Sequence, residues 1–194
     1  MDFIDTDSTP GGRPVSVRLD AMGPESRSEI VQTLEDGRQE FLNAVSGLTE
    51  AEAQAHPQAD RWSVLECVEH VTTVEERFLG RIEKAAREGA PPINQQHEAE
   101  LAARVKDRSI RAQAPEFVRP TGRFPTLAEA VGAFDAVRVR TLRFAERNAA
   151  ELYSLAEAHP RFGPLNGTEF LIMMNSHVLR HTAQIGELRA ELRK

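Results

Sequence analysis

Cysteine is nearly missing from this chain: among 194 residues only Cys67 carries a thiol, so no disulfide can close within one copy. Long apolar runs are missing too. The longest uninterrupted aliphatic stretch, FLIMM at 170–174, falls well short of the roughly 20 residues a membrane-spanning helix needs. Positive charge is in deficit, with 24 Lys and Arg against 30 Asp and Glu and a net charge of -6. That excludes the basic footprint expected of a protein that holds a phosphate backbone or an anionic membrane surface, so neither nucleic acid nor membrane is an expected partner. The opening MDFIDTDSTPGG has acids where a secretory signal has basic residues and an apolar run, so a cytoplasmic location is expected. Strand signals are scarce: only VSVRL at 15–19 alternates, which suggests an extended arm rather than a sheet.

What is present reads as helix. At 40% hydrophobic and 28% charged residues the composition is that of a globular protein, and the length suits one domain with an appended arm. The expected division is an arm over residues 1–22, partly disordered around TPGGRP, and a helical domain over 23–194. Capping-box pairs mark the helix starts: Ser26 with Glu29, Thr49 with Glu52, Ser63 with Glu66, Thr126 with Glu129 and Asn166 with Glu169. Four of them precede long amphipathic stripes. The first stripe is Ile30, Leu34, Gly37, Phe41, Val45, Leu48, and the second is Val64, Val68, Val71, Phe78, Ile82, with Cys67 and Val74 beside it. The third is Leu127, Val131, Phe134, Val137, Thr141, Phe144, and the fourth is Phe170, Met174, His177, His181, Gln184, Leu188. The proline-rich link over about 89–125 contains HEAELAARVKDR, expected as a short helix, and is long enough for a crossover. AEAHPRFGPLNG, before the last stripe, is expected as a turn-rich connection. These features predict an all-α, four-helix bundle with a long crossover between its second and third helices.

The fourth stripe poses the functional question, because His177 and His181 occupy slots where leucine would pack better. Residues four apart share one helical face, so two imidazoles so placed can grip one cation. A catalytic divalent site needs a third ligand, and His70, on the flank of the second helix beside Val74 and Cys67, is the supplier. On spacing alone, core histidines satisfied by hydrogen bonds remain the competing reading.

Three segments carry a resemblance: RWSVLECVEHV at 61–71, APEFVRPTGRFPTLAEAV at 114–131 and HPRFGPLNGTEFLIMMNSHVLRHTAQI at 159–185. Together they resemble the DinB-like (DinB/YfiT) superfamily over about residues 26–190. The resemblance implies a four-helix bundle whose second-helix histidine joins an H-x-x-x-H pair of the last helix around a divalent metal. His70, His177 and His181 stand at those positions. It further implies metal-dependent hydrolysis, or transfer and isomerisation with a low-molecular-weight thiol such as bacillithiol, mycothiol or glutathione. A non-catalytic module that binds metal or ligand, or that dimerises, is the other class of reading, and a homodimer is the assembly considered. Imidazole suits zinc, nickel, iron and copper alike, with zinc or nickel expected first and iron next.

No catalytic base is identified. Glu66 shares the face of His70 but is committed to its capping box, Glu69 points about 100° away, and Gln184 suits hydrogen bonding to a ligating ring. Cys67, Met173 and Met174 are expected in the core. His56 and His159 precede prolines in turns and are expected to face solvent, as is the arginine face Arg140, Arg143, Arg147. His97 in the link is expected at the surface or at the mouth of the site. Acid should release a bound metal as the imidazoles protonate, near pH 6.

Overall fold

Hydrogen bonding at the helix starts sets the frame. The computed structural model describes residues 24–109 and 113–192, so the arm expected over 1–22, with VSVRL, lies outside the described residues. Six α-helices are described: α1 Pro24–Val45, α2 Glu50–Gln54, α3 Val64–Ile82, α4 Gln95–Lys106, α5 Leu127–Arg147 and α6 Gly167–Leu192. Reciprocal capping boxes close α2 through Thr49 and Glu52 and α3 through Ser63 and Glu66. Asn166 and Glu169 do the same for α6, with both bonds at 2.9 Å. At α5 the Thr126 hydroxyl accepts from the Glu129 amide, and the Leu127 amide donates to the Glu50 carboxylate of α2. The start expected at Ser26 is displaced, because α1 already begins at Pro24 and Ser26 lies in its first turn. Proline is tolerated there, since its missing N–H would have no partner within the helix.

Helices α1, α3, α5 and α6 form the bundle. Each of α1 and α3 packs against both α5 and α6, which puts α1 and α3 on one diagonal; α4, inside the crossover, packs against α6. No helix among the described residues is long and apolar enough to cross a membrane. The connection before α6 differs from expectation, being a hairpin in which β1 (Ala156–His159) pairs antiparallel with β2 (Gly163–Asn166). Prolines forbid helix here, yet Pro160 falls between the strands and Pro164 only faces Ala158 across the pair. Gly163 takes φ +77°, open to glycine without strain, and Ala86 bridges to Ala156 on the far side.

The bundle core is divided. One apolar cluster gathers Leu34, Leu79, Ile82, Val137, Phe170 and Met174 among others; the second gathers Phe41, Cys67, Val71, Phe134, Val178 and Ile185. Between them in sequence on all four helices lies a polar layer that the sequence reading did not foresee. The Arg138 guanidinium is fully buried, donating to Glu75 at 2.9 Å, to Asn175 Oδ1 at 2.9 Å and to the Leu34 carbonyl at 3.2 Å. Its Nε lies 2.8 Å from Glu75 Oε1, an ion-pair contact whose N–H is not aligned on the oxygen. Thr141 donates to the same Glu75 oxygen at 2.8 Å, and Asn175 donates to the Thr33 carbonyl at 3.0 Å. Gly37 makes room for this arrangement, since a Cβ there would collide with the Asn175 side chain.

A three-histidine candidate metal centre

The heptad-like stripe of α3 brings His70 toward α6, where His177 and His181 stand one turn apart. The three rings meet. Centroids lie 5.1 Å apart for His70 and His177, 4.8 Å for His70 and His181, and 4.6 Å for His177 and His181. Each ring offers one nitrogen such that all three atoms lie within 4.8 Å of one another, the sole cluster of this kind among the described residues. His70 Nε2 is 3.2 Å from His177 Nε2, close to the about 3.3 Å that two nitrogens adopt at 2.0–2.1 Å from one tetrahedral ion.

Orientation and protonation suit ligation. The Val118 carbonyl, 2.7 Å from His70 Nδ1, can only accept, so that nitrogen carries the proton and the Nε2 lone pair faces the other two rings. Trp62 packs its ring 4.9 Å from the His70 ring. His70 and His181 are buried, while His177 keeps an exposed edge. Burial lowers the pKa of His70 below its ordinary value, against the opposing bond to Val118. Burial, followed by the neighbouring imidazoles and Arg180, holds His177 and His181 well below theirs. All three are therefore neutral at neutral pH, the form that binds metal. The His181 Nδ1 is buried without an aligned hydrogen bond, and the Gln184 side chain is the polar neighbour that raises the ring's pKa against its burial.

The other candidates fall elsewhere. Cys67 is buried in the second apolar cluster, and desolvation pushes its thiol up to about 12, so it stays protonated and apart from the rings. Met173 and Met174 are core residues, and Arg140, Arg143 and Arg147 are exposed, as expected. His97 does not reach the rings: its Nδ1 lies 2.6 Å from Glu169 Oε1, two turns before His177 on α6. His56 is exposed and bonds to the Arg61 carbonyl. His159 departs from expectation. Its ring stacks on Phe162 and meets Phe78 edge-on, and burial with Arg81 and Arg161 nearby pushes its pKa down to about 4. The Gln184 side-chain oxygen accepts from Arg108 at 3.4 Å, and the same side chain bears on the His181 ring and raises its pKa, in keeping with the expected contact to a ligating ring. Glu66 is held by its cap, as expected. Glu69 points into the crossover, where it was not foreseen to have partners.

All three histidines lie within residues 33–185, the stretch that matches the family model of the DinB superfamily. The chain belongs to the DinB superfamily. The uncharacterised protein YuaE of Bacillus subtilis (strain 168) is 21% identical over 159 residues, which span 82% of this chain and 96% of YuaE. Among solved structures, this DinB chain superposes on YfiT from Bacillus subtilis with a TM-score of 0.59 at 14% identity, over 90% of this chain and 91% of YfiT. YfiT is described as a probable metal-dependent hydrolase with an unusual four-helix bundle topology. At that identity the likeness establishes the fold alone.

Proposed function

We propose that His70, His177 and His181 hold one divalent cation, zinc or nickel before iron, and that the centre activates a low-molecular-weight thiol or water for transfer or hydrolysis. The observation that carries this reading is the convergence of three neutral imidazoles from two helices, each offering a ring nitrogen within 4.8 Å of the others. Three neutral ligands leave the charge of the ion uncompensated, so a bound ion would act as a Lewis acid, lowering the pKa of bound water to about 7 or holding a thiol as thiolate. His70 is aimed by the Val118 carbonyl, and Trp62 and the α3–α6 packing shield the rings from bulk water.

Thiol activation is favoured over hydrolysis by the state of the carboxylates on α3. Glu66 closes the Ser63 cap, Glu69 is bound by the crossover and Glu75 is paired with Arg138. Each is occupied by bonds a general base would have to give up. Metal analysis after zinc loading should find close to one ion per chain, and His177→Ala should lose it while far-UV circular dichroism stays helical. Thiols supplied with electrophiles, assayed beside simple esters and amides, then separate transfer from hydrolysis. A loaded protein inert to both panels would leave a binding module, and a wild type that takes up no metal would end the proposal.

A further inference from the structure

The residue beside the proposed ligand His70 makes the densest set of side-chain bonds to the crossover. Glu69 is buried, and its carboxylate receives four hydrogen bonds from three consecutive residues. Oε1 accepts from the Thr121 amide at 2.6 Å and the Thr121 hydroxyl at 3.1 Å. Oε2 accepts from the amides of Gly122 at 3.1 Å and Arg123 at 3.0 Å. A carboxylate has about four lone-pair sites, and all are used. Gly122 sits at φ +77°, a left-handed conformation that turns successive amides toward one acceptor. Three residues upstream of Thr121, the same segment presents the Val118 carbonyl to His70 Nδ1. Arg119 and Pro120 join the two points, and the proline removes a degree of backbone freedom from the join. The pair Glu69–His70 thus grips the segment 118–123 at both ends. One neighbour of the pair supplies charge, and the other receives a carbonyl.

We infer that Glu69 is a positioning residue for the three-histidine centre: by clamping Thr121, Gly122 and Arg123 it keeps the Val118 carbonyl on His70 Nδ1, and so keeps the His70 Nε2 lone pair on the metal position. It touches neither the metal position nor the other rings. The role requires an acceptor at both carboxylate oxygens, which separates it from simple space filling. An amide in its place would turn an NH2 group either toward the Gly122 and Arg123 amides or toward the Thr121 amide and hydroxyl; the hydroxyl can rotate to accept, but in either case at least one backbone amide loses its acceptor and faces a donor.

The consequence for metal affinity rests on the proposed function, but the ring state can be read in metal-free protein. Long-range nitrogen–proton NMR at pH 7.5 should show His70 protonated on Nδ1 alone in the wild type, and a mixture of Nδ1-H and Nε2-H forms in Glu69→Gln. Zinc affinity, measured by competition with a chromogenic chelator, should fall about 10–100-fold in the same variant, the loss typical when a partner orienting a metal-bound histidine is removed. Thr121→Val removes only the hydroxyl bond and serves as the folded control, expected to keep one tautomer and to bind zinc within about threefold. Should Glu69→Gln fail to fold, Gly122→Val, strained at positive φ, loosens the same clamp with Glu69 intact and is expected to mix the tautomers as well. A folded Glu69→Gln whose His70 stays entirely Nδ1-H overturns the inference, whatever its thermal stability. A wild type with a single tautomer and no zinc uptake would instead sink the metal reading and leave the clamp standing.

Discussion

Of the buried polar groups among the described residues, the Arg138 layer and the histidine cluster are built on opposite principles. In the Arg138 layer every charge is answered: Glu75, Asn175, Thr141 and a backbone carbonyl of α1 take up the guanidinium and one another. In the histidine cluster the rings converge with lone pairs facing inward, one nitrogen 3.2 Å from its neighbour and another without an aligned hydrogen bond. The first pairs its charges internally, with only the Arg138 Nε–H out of line with the carboxylate it faces, and joins all four helices. The second gathers three neutral rings on one point, an arrangement that suits the cation proposed above. Burial of polar atoms is therefore not by itself a sign of a site; like groups converging on one point without counter-charges of their own are the better sign.

The contrast breaks most visibly at Arg138. Arg138→Met leaves Glu75 buried without its counter-charge and should cost about 3–5 kcal/mol in urea unfolding, while Arg138→Met with Glu75→Leu should recover most of that loss. A double variant as unstable as the single one would show that the layer is not a self-contained pair. The second effect has the opposite sign. His181→Leu replaces a buried imidazole, whose Nδ1 has no aligned hydrogen bond, by an apolar group, so the metal-free protein should gain about 1 kcal/mol while losing its zinc binding. Destabilisation comparable to that of Arg138→Met would erase the distinction between the two groups.

The smallest effect is on pH dependence. Because His70, His177 and His181 have folded pKa values below 6.5, and His159 one of about 4, these rings are neutral in the fold but protonate in the unfolded chain as pH drops below 6.5. The unfolded state then binds more protons, so stability falls as pH falls through that window and is flat above it. For His159 the window runs from 6.5 down to about 4. Urea midpoints of metal-free protein at pH 7.5 and 5.5 should differ more for the wild type than for His181→Leu, which lacks one such ring. The same lowering puts acid release of bound metal below the pH 6 expected from unperturbed imidazole, which metal retention across pH 4–7 would read.

Much of this was legible in the residues. Four capping pairs sit where the structure uses them, because such a box is a local interaction among four neighbours and needs no distant partner. The hairpin escapes the sequence because its prolines read as breakers, while its strands, four residues each, are too short to show an alternating pattern. The polar layer left a signal that could have been followed. Glu75 continues Val68 and Val71, Arg138 falls between Phe134 and Thr141, and Asn175 between Leu171 and Val178, all at core spacing. A Glu, an Arg and an Asn in core slots of three helices, with Gly37 in the fourth, point to a buried ion pair.

Periodicity and capping, being properties of near neighbours, are enough to determine from sequence the helices of this DinB chain and the shared face of His177 and His181. Only the tertiary structure decided that His70 closes on them, that the Val118 carbonyl selects its tautomer, and that Glu69 binds the segment carrying that carbonyl. Those contacts join residues 48 to 111 positions apart, and one-dimensional spacing carries no information about which distant groups packing will bring within hydrogen-bond reach.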